Sequence, residues 1–337
     1  MTQINGPVNI IRVEGYIYNI KKVMYLFMDH HYDLSEQSSC DNDKAKDIVL
    51  YLNDELKTSS VPIDFFMETS FKVKDFILKK ETNKSIYIDR VKKFFFDNVI
   101  IKDKKNIGTK LNKNIRFHYI DIRHYLQLNF MNTLTKLKEN MDNENEKIKL
   151  INILNDKINT LIQFIDNPSP DIINDDELIN IISKIKSRYT HPELKQKIKD
   201  LFNISKYGLI KIYNENKIIT ANEDINILSY KIIRNISWIM DIYFLRRFID
   251  KDYIHNVISY IGGAHTVRIL IFLLKNYNME ITHCVYSTQS IDYINKYIKS
   301  KSVDIEKNLD DVFSMFFSRD LKQCSDISDF PEHLFNN

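Results

Sequence analysis

The stretch NVISYIGGAHTVRILIFLLK, residues 256–275, predicts a strand, a tight turn and a helix in direct succession. Val257 to Ile261 is a short apolar run that ends at two glycines, as is typical of a buried strand. After Thr266, apolar residues recur at the spacing of one helix face. The turn puts His265 near the carboxyl end of the strand and the amino end of the helix, where open α/β sheets bind ligands. Taken alone, this stretch would be a glycine-rich loop with an incidental histidine.

Two further strands are predicted to end in polar, ionisable residues. The continuous apolar run Val23 to Met28 is typical of a strand covered on both faces, and it stops at Asp29-His30-His31-Tyr32-Asp33. A second run, Ile63 to Met67, is apolar except for Asp64 and is followed at once by a glutamate. Because the carboxyl ends of parallel strands meet at one edge of a sheet, these polar ends should converge. We therefore expect four side chains to lie together: Asp29, His31, Glu68 and His265.

The composition is that of an ordinary soluble globular protein, with 337 residues, 44% hydrophobic and 28% charged. The 48 basic and 45 acidic residues nearly cancel and are interspersed, which argues against a dominant nucleic-acid surface. Neither a secretory signal nor a membrane span is predicted. Three cysteines, Cys40, Cys284 and Cys324, are too few for a disulfide framework in such a chain, so we expect a reducing compartment and no secretion.

These patterns predict an α/β fold with a mostly parallel central sheet flanked by helices and an inserted helical subdomain. We expect residues 1–128 to form the first half of the α/β domain, residues 129–217 the helical insert, and residues 218–337 the second half with a C-terminal tail. A long helix from about Glu223 to Ile249 contains charged residues, which need partners if they pack inward. A surface position is the simpler interpretation of Arg247, and an arginine that reaches the sheet edge is the alternative.

The order of these motifs resembles the superfamily of the erythromycin esterases, the TraB and TIKI proteins and the ChaN haem-binding lipoproteins. Members have a first G-x-x-H or G-E-x-H, a later acidic residue, an arginine-bearing helix and a last G-x-x-H. Here Gly262 to His265 matches the last motif, Glu68 the acid and Asp241 to Arg247 the helix. Met28 to His31 matches the first motif in part, with Met in place of Gly and Asp in place of Glu.

A closer similarity is to uncharacterised proteins of large DNA viruses. These have a His-containing strand end followed by Cys, an acidic strand end, an H-Y-x-D-x-R strand, a D-x-Y-x-x-x-R helix and Y-x-G-x-x-H. The chain has the same order in His31 to Cys40, Glu68, His118 to Arg123, Asp241 to Arg247 and Tyr260 to His265. This resemblance implies a viral protein of the host cytoplasm or the virion.

One function that fits is that of a hydrolase of esterase or metal-dependent peptidase type, with an unknown small-molecule or peptide substrate. A histidine could take a proton from water while a carboxylate orients it. Alternatively, His31, Glu68 and His265 could hold a divalent metal ion that activates the water. The superfamily resemblance implies both versions. Either Arg123 or Arg247 would hold an anionic group of the substrate. The catalytic candidates are Asp29, His31, Glu68, His265 and Arg247.

The alternative function is that of a catalytically inactive viral protein on the same fold, with virion or host proteins as partners. The methionine in the first motif and the large helical insert favour this interpretation. Haem or iron binding, which the ChaN resemblance implies, is a third hypothesis, although no axial ligand stands out in the sequence. The sequence contains no P-loop, G-x-S-x-G, H-E-x-x-H, C-x-x-C or dinucleotide-binding motif.

Overall fold

The structure is a computed structural model that describes residues 2–80, 86–102, 105–126, 128–216, 225–300, 302–318 and 320–335. The chain divides into two compact units. We call residues 1–120 with 252–337 the α/β unit and residues 121–251 the helical unit. The sequence-based division instead set boundaries after residues 128 and 217, the second of which lies outside the described residues.

The α/β unit begins with strands β1 (Gln3–Asn5), β2 (Asn9–Ile17), β3 (Ile20–Asp29) and β4 (Lys46–Asp47), helix α1 (Ile48–Thr58) and strand β5 (Ile63–Met67). It continues with helices α2 (Lys74–Lys79) and α3 (Tyr87–Asn98) and strands β6 (Val99–Lys102), β7 (Lys105–Thr109) and β8 (Ile115–Tyr119). The helical unit contains α4 (Phe130–Glu139), α5 (Glu144–Asp166), α6 (Asp176–Ser187), α7 (Pro192–Asn216) and α8 (Ile225–Asp250). The α/β unit then resumes with β9 (Asn256–Gly262), α9 (Gly263–Tyr277), β10 (Glu280–Cys284), α10 (Ile291–Lys299), α11 (Leu309–Phe316) and β11 (Cys324–Asp326). Within the described ranges, no helix has the length and hydrophobicity needed to cross a bilayer.

The central sheet has the strand order β10-β2-β3-β9-β5-β8. Strands β3, β9, β5 and β8 run parallel, whereas β2 and β10 pair antiparallel at the other side. The predicted fold class, a mostly parallel sheet flanked by helices with an inserted helical part, is confirmed. Because β9 lies between β3 and β5, it pairs Gly262 with Asp29 and Tyr260 with Met67. The carboxyl ends of the three strands therefore meet.

The parallel strands are apolar because both of their faces are covered. All of β5 is buried, and β3 is buried from Lys22 to Asp29. Alternate residues of the sheet, including Tyr25 and Phe27 of β3 and Tyr260 of β9, pack in one core with helices α1 and α3. This period-two alternation fixes the register, since a slip by one residue would exchange the two faces.

Strands β2 and β3 form a hairpin that the sequence analysis did not predict. Its two-residue turn, Tyr18-Asn19, has positive φ at both positions, 51° and 65°. That geometry fits a type I′ turn, which favours Asn-Gly and similar pairs. A tyrosine is unusual there, so the turn has little signal in the sequence.

Asp64 is fully buried within β5 and pairs with side chains of the neighbouring strand β8. The Arg116 guanidinium donates to both carboxylate oxygens, at 2.7 and 2.5 Å, and His118 Nε2 lies 2.7 Å from Oδ1. Burial alone would raise the pKa of Asp64, but the hydrogen bonds from Arg116 and His118 lower it. His118 is thus a packed strand histidine.

A disulfide joins Cys40 to Cys324, although the cysteine count led us to expect reduced thiols. The antiparallel pairing of β1 with β11 brings the C-terminal segment beside Cys40, whose N–H donates to Asn5 of β1. Cys284 remains free, and burial raises the pKa of its thiol to about 12. The two bonded cysteines are 284 residues apart, so local sequence could not pair them. The cysteines therefore no longer support the inference of a reducing compartment.

We predict that the denatured protein has one free thiol when no reductant is present. Cys324→Ser should lower the free energy of unfolding by about 2–4 kcal/mol, because the bond restricts the unfolded chain. Denaturant unfolding of both proteins, with thiol titration, measures this. Reductant should abolish the difference between the two proteins, whereas three free thiols in the unreduced wild type would contradict the bond.

Candidate functional site

Four ionisable side chains meet where β3, β5 and β9 end. Asp29 is the last residue of β3, and His31 follows two positions later. Glu68 comes directly after β5, and His265 lies in the first turn of α9, which follows β9 without a loop. These are the four residues that the strand ends predicted to converge. We call them the acid–imidazole cluster.

Asp29 and His31 form the outer half of the cluster. His31 Nδ1 lies 2.7 Å from Asp29 Oδ2, and the Tyr260 hydroxyl donates to Asp29 Oδ1 at 3.0 Å. The Asp29 side chain is only 1% exposed, whereas that of His31 is 47% exposed. A buried carboxylate therefore holds an imidazole that remains accessible to solvent.

Glu68 lies between the two imidazoles. Its Oε1 is 3.9 Å from His31 Nε2 and 3.6 Å from His265 Nε2, which are ion-pair distances longer than a hydrogen bond. Its Oε2 accepts a hydrogen bond of 2.7 Å from the Gly262 backbone N–H. Glu68 and His265 are both buried. The backbone of β9 thus fixes one carboxylate oxygen and leaves the other facing both histidines.

A side chain at Gly262 would crowd the cluster. A Cβ at this position would lie 3.3 Å from Glu68 Oε2, 3.6 Å from His31 Nε2 and 3.7 Å from His265 Cδ2. The backbone φ of −62° is open to any residue, so conformation does not demand glycine here. Glycine suits this position because a Cβ would pack tightly against three ionisable side chains.

The carboxylates control the charge of His31. Burial by itself would lower the pKa of His31, but the hydrogen bond with Asp29 and the negative charges of Asp29 and Glu68 raise it to about 10. Burial raises the pKa of Asp29, against the effect of its bonds with His31 and Tyr260. His31 is therefore an imidazolium at neutral pH, held by two acidic groups.

The cluster also contacts two side chains that the sequence analysis did not assign to a site. Tyr260 belongs to the same alternating face of β9 as the core aromatics, and its position in the Y-x-G-x-x-H motif is the signal that could have indicated its contact with Asp29. Arg268 lies three residues after His265 on α9, and its Nη2 is 3.1 Å from His265 Nδ1. That i, i+3 spacing could have indicated the contact.

The two candidate substrate-holding arginines belong to the helical unit. Arg247 donates to the Tyr243 hydroxyl at 2.9 Å, one turn earlier on α8. Arg123 pairs with both carboxylate oxygens of Asp121, at 2.7 and 3.0 Å. Burial alone would raise the pKa of Asp121, but the charge of Arg123 and the bonds from Arg123 and His124 lower it strongly. A substrate-holding role for Arg123 or Arg247 stays a prediction.

Comparison with known proteins shows to which family the chain belongs. The model of a family of unknown function (DUF5847) matches residues 2–168 and 137–335. The chain belongs to this family. The predicted similarity to uncharacterised viral proteins is also confirmed, because uncharacterized proteins of a virus align with the chain over nearly its whole length.

Three such relatives come from Acanthamoeba polyphaga mimivirus. The uncharacterized proteins R706, R160 and R161 are 28%, 27% and 29% identical to the chain. The alignments cover 98%, 98% and 99% of the chain and 96%, 97% and 98% of the relatives. No solved structure matches the chain. These names state no activity, so the function of this DUF5847 member must be argued from its site.

We predict that His31 of this DUF5847 chain titrates near pH 10, well above the ordinary value of 6.5. Asp29→Asn should lower the pKa of His31, because it removes a hydrogen-bond acceptor and a negative charge. An NMR titration of the histidine rings measures both values, with the exposed His255 as an internal control. A wild-type midpoint near 6.5 would contradict the assignment of His31 as an imidazolium.

Proposed function

We propose that the chain is a hydrolase of esterase type that uses the acid–imidazole cluster to cleave an acyl bond with water. The observation that supports this most is the convergence of Glu68, His31 and His265 beside Gly262. A water molecule or a substrate oxygen bound at Glu68 Oε1 would lie beside a base, an acid and a second imidazole at once. The resemblance to the erythromycin esterases in motif order points to the same chemistry.

Glu68 is the proposed general base. Its Oε2 accepts a hydrogen bond from the Gly262 amide, while Oε1 faces His31 and His265. The sequence had suggested a histidine for this role, but an imidazolium at His31 has no lone pair with which to accept a proton. The Glu68 carboxylate beside His31 is the better proton acceptor.

His31 is the proposed general acid. The raised pKa keeps the proton on the ring at neutral pH, and almost half of its side chain is exposed. An acid in such a position can reach the leaving group of a substrate that enters from solvent. Asp29 and Tyr260 position the imidazole through the hydrogen bonds at Asp29.

The amino end of α9 is the proposed binding site for the developing oxyanion. Helix α9 begins at Gly263, beside the cluster, and its N-cap Gly262 provides no capping side chain. Amides in the first turn of a 15-residue helix favour negative charge. Donors of this kind stabilise the tetrahedral intermediate of acyl transfer.

The proposed reaction returns the cluster to its starting state. Glu68 takes a proton from water, and the hydroxide oxygen bonds to the acyl carbon. The bond from that carbon to the leaving oxygen then breaks, while His31 gives that oxygen its proton. The products are a carboxylic acid and an alcohol. Glu68 and His31 reset by passing the captured proton across the 3.9 Å between Oε1 and Nε2.

A divalent ion fits this cluster less well. Within the described ranges, no group of three or more His, Cys, Asp or Glu side chains has the geometry to hold a metal ion. In the metal-dependent version of the hypothesis, the ligands are His31, Glu68 and His265. We route no step of the proposed reaction through a metal.

We predict that purified protein hydrolyses members of a panel of chromogenic acyl esters. Glu68→Gln and His31→Gln should each lower kcat at least about 100-fold, since each removes a proton-transfer group. The exposed Glu332→Gln and His255→Gln serve as matched controls and should retain wild-type rates. Equal rates in wild type and both site variants would contradict the proposal, and absence of hydrolysis across the panel would favour the inactive viral protein.

We also predict that Gly262→Ala lowers kcat/KM strongly while the fold persists, because the methyl group presses against Glu68, His31 and His265 and displaces them. Gly108→Ala is the matched control, since a Cβ there meets nothing closer than 3.9 Å. Rates measured with and without a chelator should agree for each protein. Loss of wild-type activity on chelation, restored by added divalent ion, would instead support the metal-dependent version.

A further inference from the structure

Arg268 is a charged residue in the interior of the α/β unit. Its side chain is 1% exposed and ranks among the largest fully buried ones. A buried guanidinium destabilises the fold unless hydrogen bonds replace its water. Helix α9 is otherwise apolar over most of this length, so the position of Arg268 requires an explanation.

The contact with His265 defines which atom donates. A guanidinium has five N–H donors and no acceptor, and it stays protonated in proteins. Arg268 Nη2 lies 3.1 Å from His265 Nδ1, so Nδ1 must be the acceptor and cannot hold a proton. The single ring proton of His265 is then on Nε2, the atom 3.6 Å from Glu68 Oε1.

We propose that Arg268 is a positioning residue that keeps His265 in the tautomer protonated at Nε2, so that His265 acts in the site only as a hydrogen-bond donor. The catalytic role of this tautomer rests on the proposed function, whereas the tautomer itself does not depend on any activity. Arg268 touches His265 from the side opposite Glu68 and acts through that ring.

The fixed tautomer separates the roles of the two histidines. An Nε2 that holds a proton cannot accept one from water, so Glu68 is left as the base. The same atom cannot bind a metal ion while it is protonated, because a metal ligand needs the lone pair. His265 Nε2–H instead faces Glu68 Oε1, where it can hold the attacking water or the developing oxyanion.

The experiment is long-range ¹H–¹⁵N NMR of protein labelled in histidine, with His265→Gln to assign the His265 signals. In wild type, Nε2 should be protonated and Nδ1 should have the shift of an unprotonated nitrogen that accepts a hydrogen bond. Arg268→Met should move the Nδ1 signal to that of a free or partly protonated nitrogen. Arg268→Lys, which keeps a cationic donor, should lie between the two.

Arg12→Met is the matched control, because Arg12 is a partly buried arginine of the same unit that bonds Glu14, Tyr25 and Thr282 instead. It should leave the His265 signals unchanged. Circular dichroism establishes that each variant is folded. If active substrates are found, Arg268→Met should lower kcat about 10-fold or more with little change in KM.

A proton on Nδ1 of His265 in the wild type would overturn the inference, even if Arg268→Met did not fold. A folded Arg268→Met protein with unchanged Nδ1 and Nε2 signals would overturn it as well. Failure of the proposed function has a different signature, since it leaves the wild-type protein without hydrolysis and the His265 tautomer as predicted.

Discussion

The parallel pairing of β9 with both β3 and β5 is the constraint on which the site depends. This pairing puts Asp29 opposite Gly262 and Glu68 beside the backbone of β9. The Glu68 side chain accepts a hydrogen bond from the Gly262 amide, and the Glu68 N–H donates to the Tyr260 carbonyl. A slip of one residue would turn the aromatic face of β9 away from its core and separate the carboxylates from the histidines. The core packing and the cluster geometry therefore rest on the same register.

Buried carboxylates in this sheet have two kinds of partner. Asp64, within β5, has the imidazole of His118 as one partner, but it is also paired with Arg116, which stays charged at any ordinary pH, and the carboxylate is enclosed in the sheet. Asp29, at a strand end, faces an imidazole that can gain and lose a proton. The same physical requirement, a positive partner for a buried negative charge, gives a permanent ion pair in one place and a group suited to proton transfer in the other.

The sequence predicted those parts of the protein that depend on local pattern. Apolar runs ending in polar residues located the strand ends, and with them Asp29, His31, Glu68 and His265. The hydroxyl of Tyr260 was not assigned to the site, because an aromatic residue in a buried strand is normally core. The disulfide could not be predicted either, since its cysteines are brought together by a strand pairing between opposite ends of the chain. The β2–β3 hairpin was not predicted because its turn, Tyr18-Asn19, lacks the residues that are usual in such turns.

We infer that one histidine of the cluster is a cation and the other a neutral donor, on either side of a carboxylate. Neutron diffraction from perdeuterated crystals near neutral pH tests this most directly, because it locates the protons themselves. We expect deuterium on both ring nitrogens of His31 and only on Nε2 of His265, with none on Glu68. A singly protonated His31, or deuterium on Nδ1 of His265, would contradict it.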